Sequence, residues 1–266
     1  MRLASLHLEA HSLNSFRYLV KVTPDMSTLQ DNLRAVQARI SAACAGCGRD
    51  SSEVTLLAVS KTFHADAVQE VADCGHRDFG ENYIQEGVDK ITFLQSDVNA
   101  KANPKNPLIW HCIGPIQSNK TKYVAEFFSW AHTVDRLKIA QRLNDQRPVH
   151  LPPLNICLQV NIDGGATKSG IAPEEVLALA MQVTQLPRLV LRGLMNIPDP
   201  VEGFEAQVAI HAKARVLFNK VRAELKLPHF DTLSMGMTAD LEAAIHAGST
   251  MVRVGTAIFG KRDYLA

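Results

Sequence analysis

The stretch Leu56-Leu57-Ala58-Val59-Ser60-Lys61-Thr62 is an apolar run that stops on a lysine. With Val54 and Thr55 ahead of it, the run is too short for an ordinary helix and is apolar on both faces. Such a run marks a strand buried on both sides, as in a parallel sheet covered by helices. Strand-like runs lie near 54–60, 77–80, 108–113, 130–134, 154–161, 189–195, 230–235 and 250–254. Helix-like segments lie between them, near 64–75, 82–95, 118–128, 136–146, 173–185, 204–225 and 238–247. Ile210, Ala214, Leu217 and Val221 form one stripe at helical spacing. Pro173 opens another helix, with Glu174 and Glu175 in its first turn and Pro187 beyond its end. A further helix precedes the first strand. Ser27 and Gln30 read as its capping box, Leu29, Leu33, Val36, Ile40, Cys44 and Cys47 as its apolar face, and Gly46 and Gly48 as its end.

About eight β/α units in roughly 240 residues match a single (β/α)8 TIM-type barrel. A doubly wound open sheet is the runner-up, because periodicity does not show closure. There is no internal repeat and no Gly/Ser linker, so residues 26–266 read as one domain. Residues 1–25 hold Arg2, Glu9, Arg17 and Lys21 but no continuous apolar segment, and read as an unstructured extension with Met26 as an alternative start. Asn-Pro-Lys-Asn-Pro at 103–107 reads as a surface loop.

The 266-residue chain is 46% apolar and 21% charged, ordinary for a folded domain. Its formal net charge of +1 lacks the bulk electrostatics of a nucleic-acid binder. No run reaches the roughly 18 apolar residues that span a bilayer. Five cysteines, an odd number without a secretory signal, point to a reducing, cytoplasmic setting. Cys44-Ala45-Gly46-Cys47 has no second pair to complete a zinc site, so it reads as core packing and no metal is expected.

In a parallel barrel the reactive groups sit at the C-terminal ends of strands. Lys61 stands at such an end. A half-desolvated amine there suits imine formation with an aldehyde; the plainer alternative is a lysine snorkelling to water. The seventh strand ends Leu233-Ser234-Met235-Gly236-Met237-Thr238 with a helix directly after it, and the eighth ends Arg253-Val254-Gly255-Thr256. Backbone N–H groups and hydroxyls at these ends suit a phosphate, the alternative being two ordinary turns. Arg253, between two valines, is otherwise a barrel-interior ion pair. Asn82 reads equally as a helix cap or as a ligand-facing group. His111 alone reads as a satisfied core histidine.

Taken in order, eight blocks form one pattern. They are 56–62, Phe-Gly-Glu-Asn-Tyr at 79–83, Trp-His-Cys-Ile-Gly-Pro-Ile-Gln-Ser-Asn-Lys at 110–120, His-Thr-Val-Asp at 132–135, Lys-Ser-Gly at 168–170, Arg-Gly-Leu-Met at 192–195, Ser-Met-Gly-Met-Thr at 234–238 and Val-Arg-Val-Gly-Thr-Ala-Ile-Phe-Gly at 252–260. The pattern resembles the YggS/PROSC family of pyridoxal phosphate homeostasis proteins, from about Met26 to Tyr264.

The resemblance implies a barrel like the N-terminal domain of alanine racemase (the type III fold of pyridoxal phosphate proteins), without that enzyme's extra β domain. It implies pyridoxal 5′-phosphate held as an imine on Lys61, with Asn82 beside the ring and Arg253 at the pyridine nitrogen. The phosphate would sit on Ser234, Met235 and Gly236 and on Gly255 and Thr256. An arginine does not readily donate its proton, so the cofactor would be a weaker electron sink. The implied role is intracellular handling of vitamin B6, buffering or delivering the cofactor to acceptor apoenzymes, with indirect effects on amino-acid and keto-acid balance. Other B6 vitamers are possible ligands, a monomer is expected, and no catalytic residue is implied. A racemase-like enzyme is the alternative, and a Schiff-base aldolase acting on a phosphosugar is a third. Because the helical pattern starts only near Ser27, a chain beginning at Met26 should keep the full-length melting temperature and cofactor content. A clear loss of either would show that the extension packs on the barrel.

Overall fold

The structure, a computed structural model, describes residues 28–96, 107–165 and 168–260. The extension at 1–25, Ser27 of the expected capping box, most of the 103–107 loop and Tyr264 lie outside the described residues. Eight strands run β1 Thr55–Val59, β2 Asp78–Glu81, β3 Ile109–Cys112, β4 Trp130–Val134, β5 Leu154–Gln159, β6 Leu189–Met195, β7 Thr232–Ser234 and β8 Met251–Val254. Each pairs in parallel with the next, and β1 closes on β8 through Thr55↔Met251 to Ala58↔Val254. The sheet is therefore a closed barrel, not the open sheet kept as runner-up.

The helices are α1 Leu29–Gly46, α2 Ala65–Asp73, α3 Ile84–Gln95, α4 Thr121–Phe127, α5 Leu137–Gln146, α6 Val176–Val183, α7 Phe204–Leu225, α8 Leu241–His246 and α9 Thr256–Phe259. Three differ from expectation. The cap of α1 is Thr28, whose hydroxyl accepts from the Asp31 N–H at 3.2 Å. Cys47 then falls outside the helix, half-buried, with its thiol on the carbonyls of Ala43 and Cys44, while Cys44 packs in the core as expected. The segment after Pro173 starts as a 3-10 turn, Pro173–Glu175, before α6. After β7 the helix does not begin at once: Asp240 holds the Met237 N–H at 2.6 Å and α8 starts at Leu241.

Strand alternation sorts the core. Leu56, Ala58, Val252 and Val254 pack outward against the helices, while Leu57, Val59 and Met251 meet Ile113 in a separate cluster inside the barrel. On the same period-2 rule Lys61 follows Leu57 and Val59, and Arg253 follows Met251. The barrel interior also carries His111, His132 and Ser234, all fully buried.

Burial holds the imidazoles of His76 and His111 below their ordinary value, and His132 well below it. The unfolded chain then binds protons that the folded chain does not, so stability falls as pH drops below about 6.5. Each ring contributes up to about 1.4 kcal/mol per pH unit until its folded value is reached. Burial raises the Glu81 carboxyl, which acts in the opposite sense, but it is one group against three. Urea unfolding should show a lower midpoint near pH 5.5 than near pH 7.5. Equal midpoints would mean that the rings are charged inside the fold.

Candidate functional site

Closure of β1 on β8 brings the end of one strand beside the end of the other. Lys61 leaves β1 and Gly255 leaves β8, side by side at the C-terminal mouth of the barrel. A Cβ on Gly255 would lie 3.1 Å from the Val59 carbonyl oxygen and 3.4 Å from its Cβ. A side chain there would make a contact tighter than most and would need the Val59 backbone to yield by a few tenths of an ångström.

The chain turns sharply after Lys61, and Thr62 takes a left-handed φ of 71°. That conformation is costly for a β-branched residue and must be held by its surroundings. The Glu86 carboxylate does so, accepting the Thr62 N–H at 2.5 Å. Glu86 also takes the Lys90 ammonium at 2.7 Å. Lys90 in turn donates to the Ser60 carbonyl at 2.7 Å and to Glu81 at 2.8 Å, and the Ser60 hydroxyl donates to Glu81 at 2.6 Å. A buried ion cluster on β2 and α3 thus clamps the residues on both sides of Lys61. Lys61 itself is half-buried.

A cleft of about 300 Å³ opens at this mouth. That volume lies at the small end of ligand pockets, roughly 300–1,000 Å³. Val59, Ile113, Ile197 and Phe63 supply apolar walls; Lys61, Asn82, Arg253, Thr238 and Thr256 supply polar groups. Gly255 and the Met237–Ala239 segment complete one end. The first turn of α9, beginning at Thr256, leaves backbone N–H groups without intrahelical acceptors there.

Arg253 is 5% exposed, and burial lowers its guanidinium to about 10, still fully charged at neutral pH. It is not the interior ion pair considered above. It donates to the Ser234 hydroxyl at 2.8 Å and to the Asn196 carbonyl at 2.9 Å, and no carboxylate among the described residues pairs with it. A buried cation held only by neutral acceptors is expensive, and such arrangements concentrate at functional sites.

The structure gathers Lys61, Asn82, Arg253, Gly255 and Thr256 around one cleft. Asn82 is not the cap of α3; that position is Tyr83, and no side chain bonds to it. The backbone of Ile113-Gly114-Pro115 passes so close that a Cβ on Gly114 would lie 1.9 Å from the Asn82 oxygen. Ser234, Met235 and Gly236 do not line the cleft. Ser234 and Met235 are fully buried, with the Ser234 hydroxyl engaged by Arg253 and His132. The reach toward the cleft comes instead from Met237, Thr238 and Ala239, because α8 starts late. Sequence reasoning also missed Ile197 and Asn196, which follow β6 with no motif to mark them. His111 is a satisfied core histidine, as expected.

A second hollow of about 260 Å³ shares Asn82, Ile113 and Ile197 with the first and contains Lys168. Lys168 is paired with Asp163 at 2.5 Å and Asp199 at 2.9 Å. Burial pulls its ammonium down, but the bonds to these carboxylates outweigh it and hold the pKa above its ordinary value. An amine so held in its protonated form is a poor nucleophile.

The family model of the alanine racemase N-terminal domain matches residues 25–263. A pyridoxal phosphate homeostasis protein from Escherichia coli is 54% identical over 239 residues, 90% of this chain and 99% of the relative. One from Pseudomonas aeruginosa is 56% identical over 239 residues. The chain belongs to the pyridoxal phosphate homeostasis proteins, within the alanine racemase N-terminal-domain family. These relatives are named for homeostasis of the cofactor and not for a reaction. Among solved structures, PipY of Synechococcus elongatus with pyridoxal phosphate bound superposes with a TM-score of 0.73 at 32% identity, over 88% of this chain and all of that one. An alanine racemase from Clostridium difficile has a TM-score of 0.63 at 16% identity, covering 57% of its own chain, and so shares the fold.

Within this family member the Lys90 clamp can be tested by itself. Lys90→Met would leave Glu81 and Glu86 without their cation, and removing one partner of a buried pair costs about 3–5 kcal/mol. Chemical denaturation should show a loss of that size, largely recovered in a Glu81→Gln/Lys90→Met double variant. A single variant within about 1 kcal/mol of wild type would mean the cluster is solvated.

Proposed function

We propose that this chain binds pyridoxal 5′-phosphate in the Lys61 cleft and serves vitamin B6 homeostasis by buffering the cofactor and delivering it to acceptor apoenzymes. The observation that carries the reading is the meeting of Lys61, a buried charged Arg253 and the Thr238/Gly255–Thr256 end in one cleft of ligand size. These residues fit the group. Pyridoxal phosphate supplies an aldehyde, a dianion and a ring nitrogen, and the cleft offers an amine, backbone N–H donors with two hydroxyls, and a guanidinium. The Lys61 amine would hold the aldehyde end, as a primary amine able to condense with it with loss of water. The N–H groups at the start of α9 and those of Thr238 and Ala239, with the hydroxyls of Thr238 and Thr256, would hold the phosphate, the Met237 N–H being spent on Asp240. Arg253 would hold the ring nitrogen, and Asn82 would flank the ring. Of the Ser234–Gly236 turn, the Ser234 hydroxyl is engaged by Arg253 and His132.

The chain's residues favour holding over turnover. Arg253 keeps its proton, so the ring nitrogen it faces stays unprotonated and a carbanion beside the ring gains less stabilisation. Among the described residues that line the cleft, the titratable side chains are Lys61 and Arg253. Racemisation needs a second proton-transfer group on the opposite face, and such a group contributes about 10²–10⁴-fold. This observation sets the carrier reading above the racemase-like one.

Two measurements test the proposal. Gly255→Val pushes a side chain against Val59 and should weaken pyridoxal phosphate binding roughly tenfold or more, the value of one or two charge-assisted hydrogen bonds. Unchanged affinity would move the phosphate elsewhere. Loaded protein with a panel of L-amino acids in deuterated water should show no saturable α-proton exchange. Enzyme-like exchange, lost in Lys61→Ala, would replace the carrier reading with the racemase-like one.

A further inference from the structure

Five polar side chains cross the barrel interior in single file. Asp78 stands at the N-terminal end of β2, its side chain a quarter exposed. Its Oδ1 lies 3.1 Å from His111 Nε2 on β3. His111 Nδ1 lies 3.0 Å from His132 Nε2 on β4. His132 Nδ1 lies 3.1 Å from Ser234 Oγ on β7, and Arg253 on β8 donates to that same oxygen at 2.8 Å. The two rings and the serine are fully buried. The file therefore runs from one open end of the barrel to the guanidinium in the cleft at the other.

The direction of every hydrogen bond in the file follows from its two ends. A carboxylate only accepts, so His111 carries its hydrogen on Nε2. Burial keeps His111 neutral, which leaves Nδ1 as an acceptor. His132 must then donate from Nε2, and its own neutral Nδ1 accepts the Ser234 hydroxyl hydrogen. With its hydrogen committed, Ser234 turns its lone pairs to Arg253. The opposite polarity would need a charged His111. It would also aim two donors, His132 and Arg253, at Ser234 Oγ and strand the hydroxyl hydrogen.

We propose that Asp78, His111, His132 and Ser234 form a one-directional positioning relay that fixes the Arg253 guanidinium and so sets its contact with the cofactor's ring nitrogen. The proposal rests on the cleft reading above. The relay does not carry a proton away, because Arg253 remains charged at neutral pH. It works by removing the freedom of the Ser234 hydroxyl. The second bond of Arg253, to the Asn196 carbonyl at 2.9 Å, then fixes the guanidinium plane from the other side. His111 is itself held flat, stacked on Trp130 at 5.2 Å with a 13° tilt. Arg192 covers the same indole at 4.7 Å.

The test begins on cofactor-free protein with ¹⁵N spectra of the histidines near pH 7.5. His111 and His132 should both appear as neutral rings with the hydrogen on Nε2. Asp78→Asn, at the half-open end, should move the His132 resonances as well as those of His111. Asp78 touches His111 and not His132, so a merely local role would leave His132 unmoved. A ring with its hydrogen on Nδ1, or a His132 signal unmoved in Asp78→Asn, would overturn the relay.

The loaded protein gives the second arm. Reduction of bound pyridoxal phosphate onto Lys61 first establishes that the cleft reading holds; label elsewhere would remove that reading, while the ¹⁵N result would still decide the hydrogen-bond file. With Lys61 labelled, Asp78→Asn and His132→Phe should shift the visible band. They should also speed pyridoxal phosphate release by roughly fivefold, the worth of one hydrogen bond. An unchanged band and release rate in Asp78→Asn would overturn the relay, even if His132→Phe fails to fold.

Discussion

The site depends on one pairing, that of β1 with β8. Parallel barrels close when the last strand finds the first, and here the register Ala58↔Val254 places the two strand ends level. Lys61 comes from one end and Arg253, Gly255 and Thr256 from the other, nearly two hundred residues away in sequence. Shift that register by one residue and the inward set would exchange with the outward one, moving Arg253 out among the helices. A Cβ added at Gly255 would meet the Val59 carbonyl oxygen at 3.1 Å, so a larger side chain there presses on the seam.

Around that closure the protein places charge where a hydrophobic barrel would have none. The Glu81–Lys90–Glu86 cluster holds the strained Thr62 and hence the exit of Lys61. On the other side, Arg253 sits buried among neutral acceptors. Each arrangement gives up stability for position, since buried ions are rarely better than apolar packing of equal volume. The two sides also differ in kind. The lysine side is fixed by ion pairs within one β/α unit and its neighbour, whereas the arginine side is fixed by a file of neutral groups drawn from strands across the barrel.

Much of this was legible in the chain itself. Apolar runs of strand length, alternating with helical stripes, marked the eight units, and the C-terminal ends of the strands singled out Lys61, Arg253, Gly255 and Thr256. Closure was not legible, because pattern does not report which strand meets which. The Lys90 clamp was hidden because Lys90 looks like any charge on α3 until Glu81 is seen beneath it. His132 and Ser234 are 102 residues apart, and no spacing rule links them. The lining of the cleft beyond β7 was not legible for a local reason: Asp240 caps the Met237 N–H, so α8 begins late and Thr238 reaches the cleft.

The central claim is that one lysine at the closed β1–β8 seam holds the cofactor, and the direct measurement is chemical. Loaded protein is treated with borohydride, digested, and the pyridoxyl group located by mass spectrometry. The account requires a single reduced adduct on Lys61 and loss of the visible band. Label on Lys168, which is held protonated between Asp163 and Asp199, would contradict it, as would a cofactor that washes out unreduced.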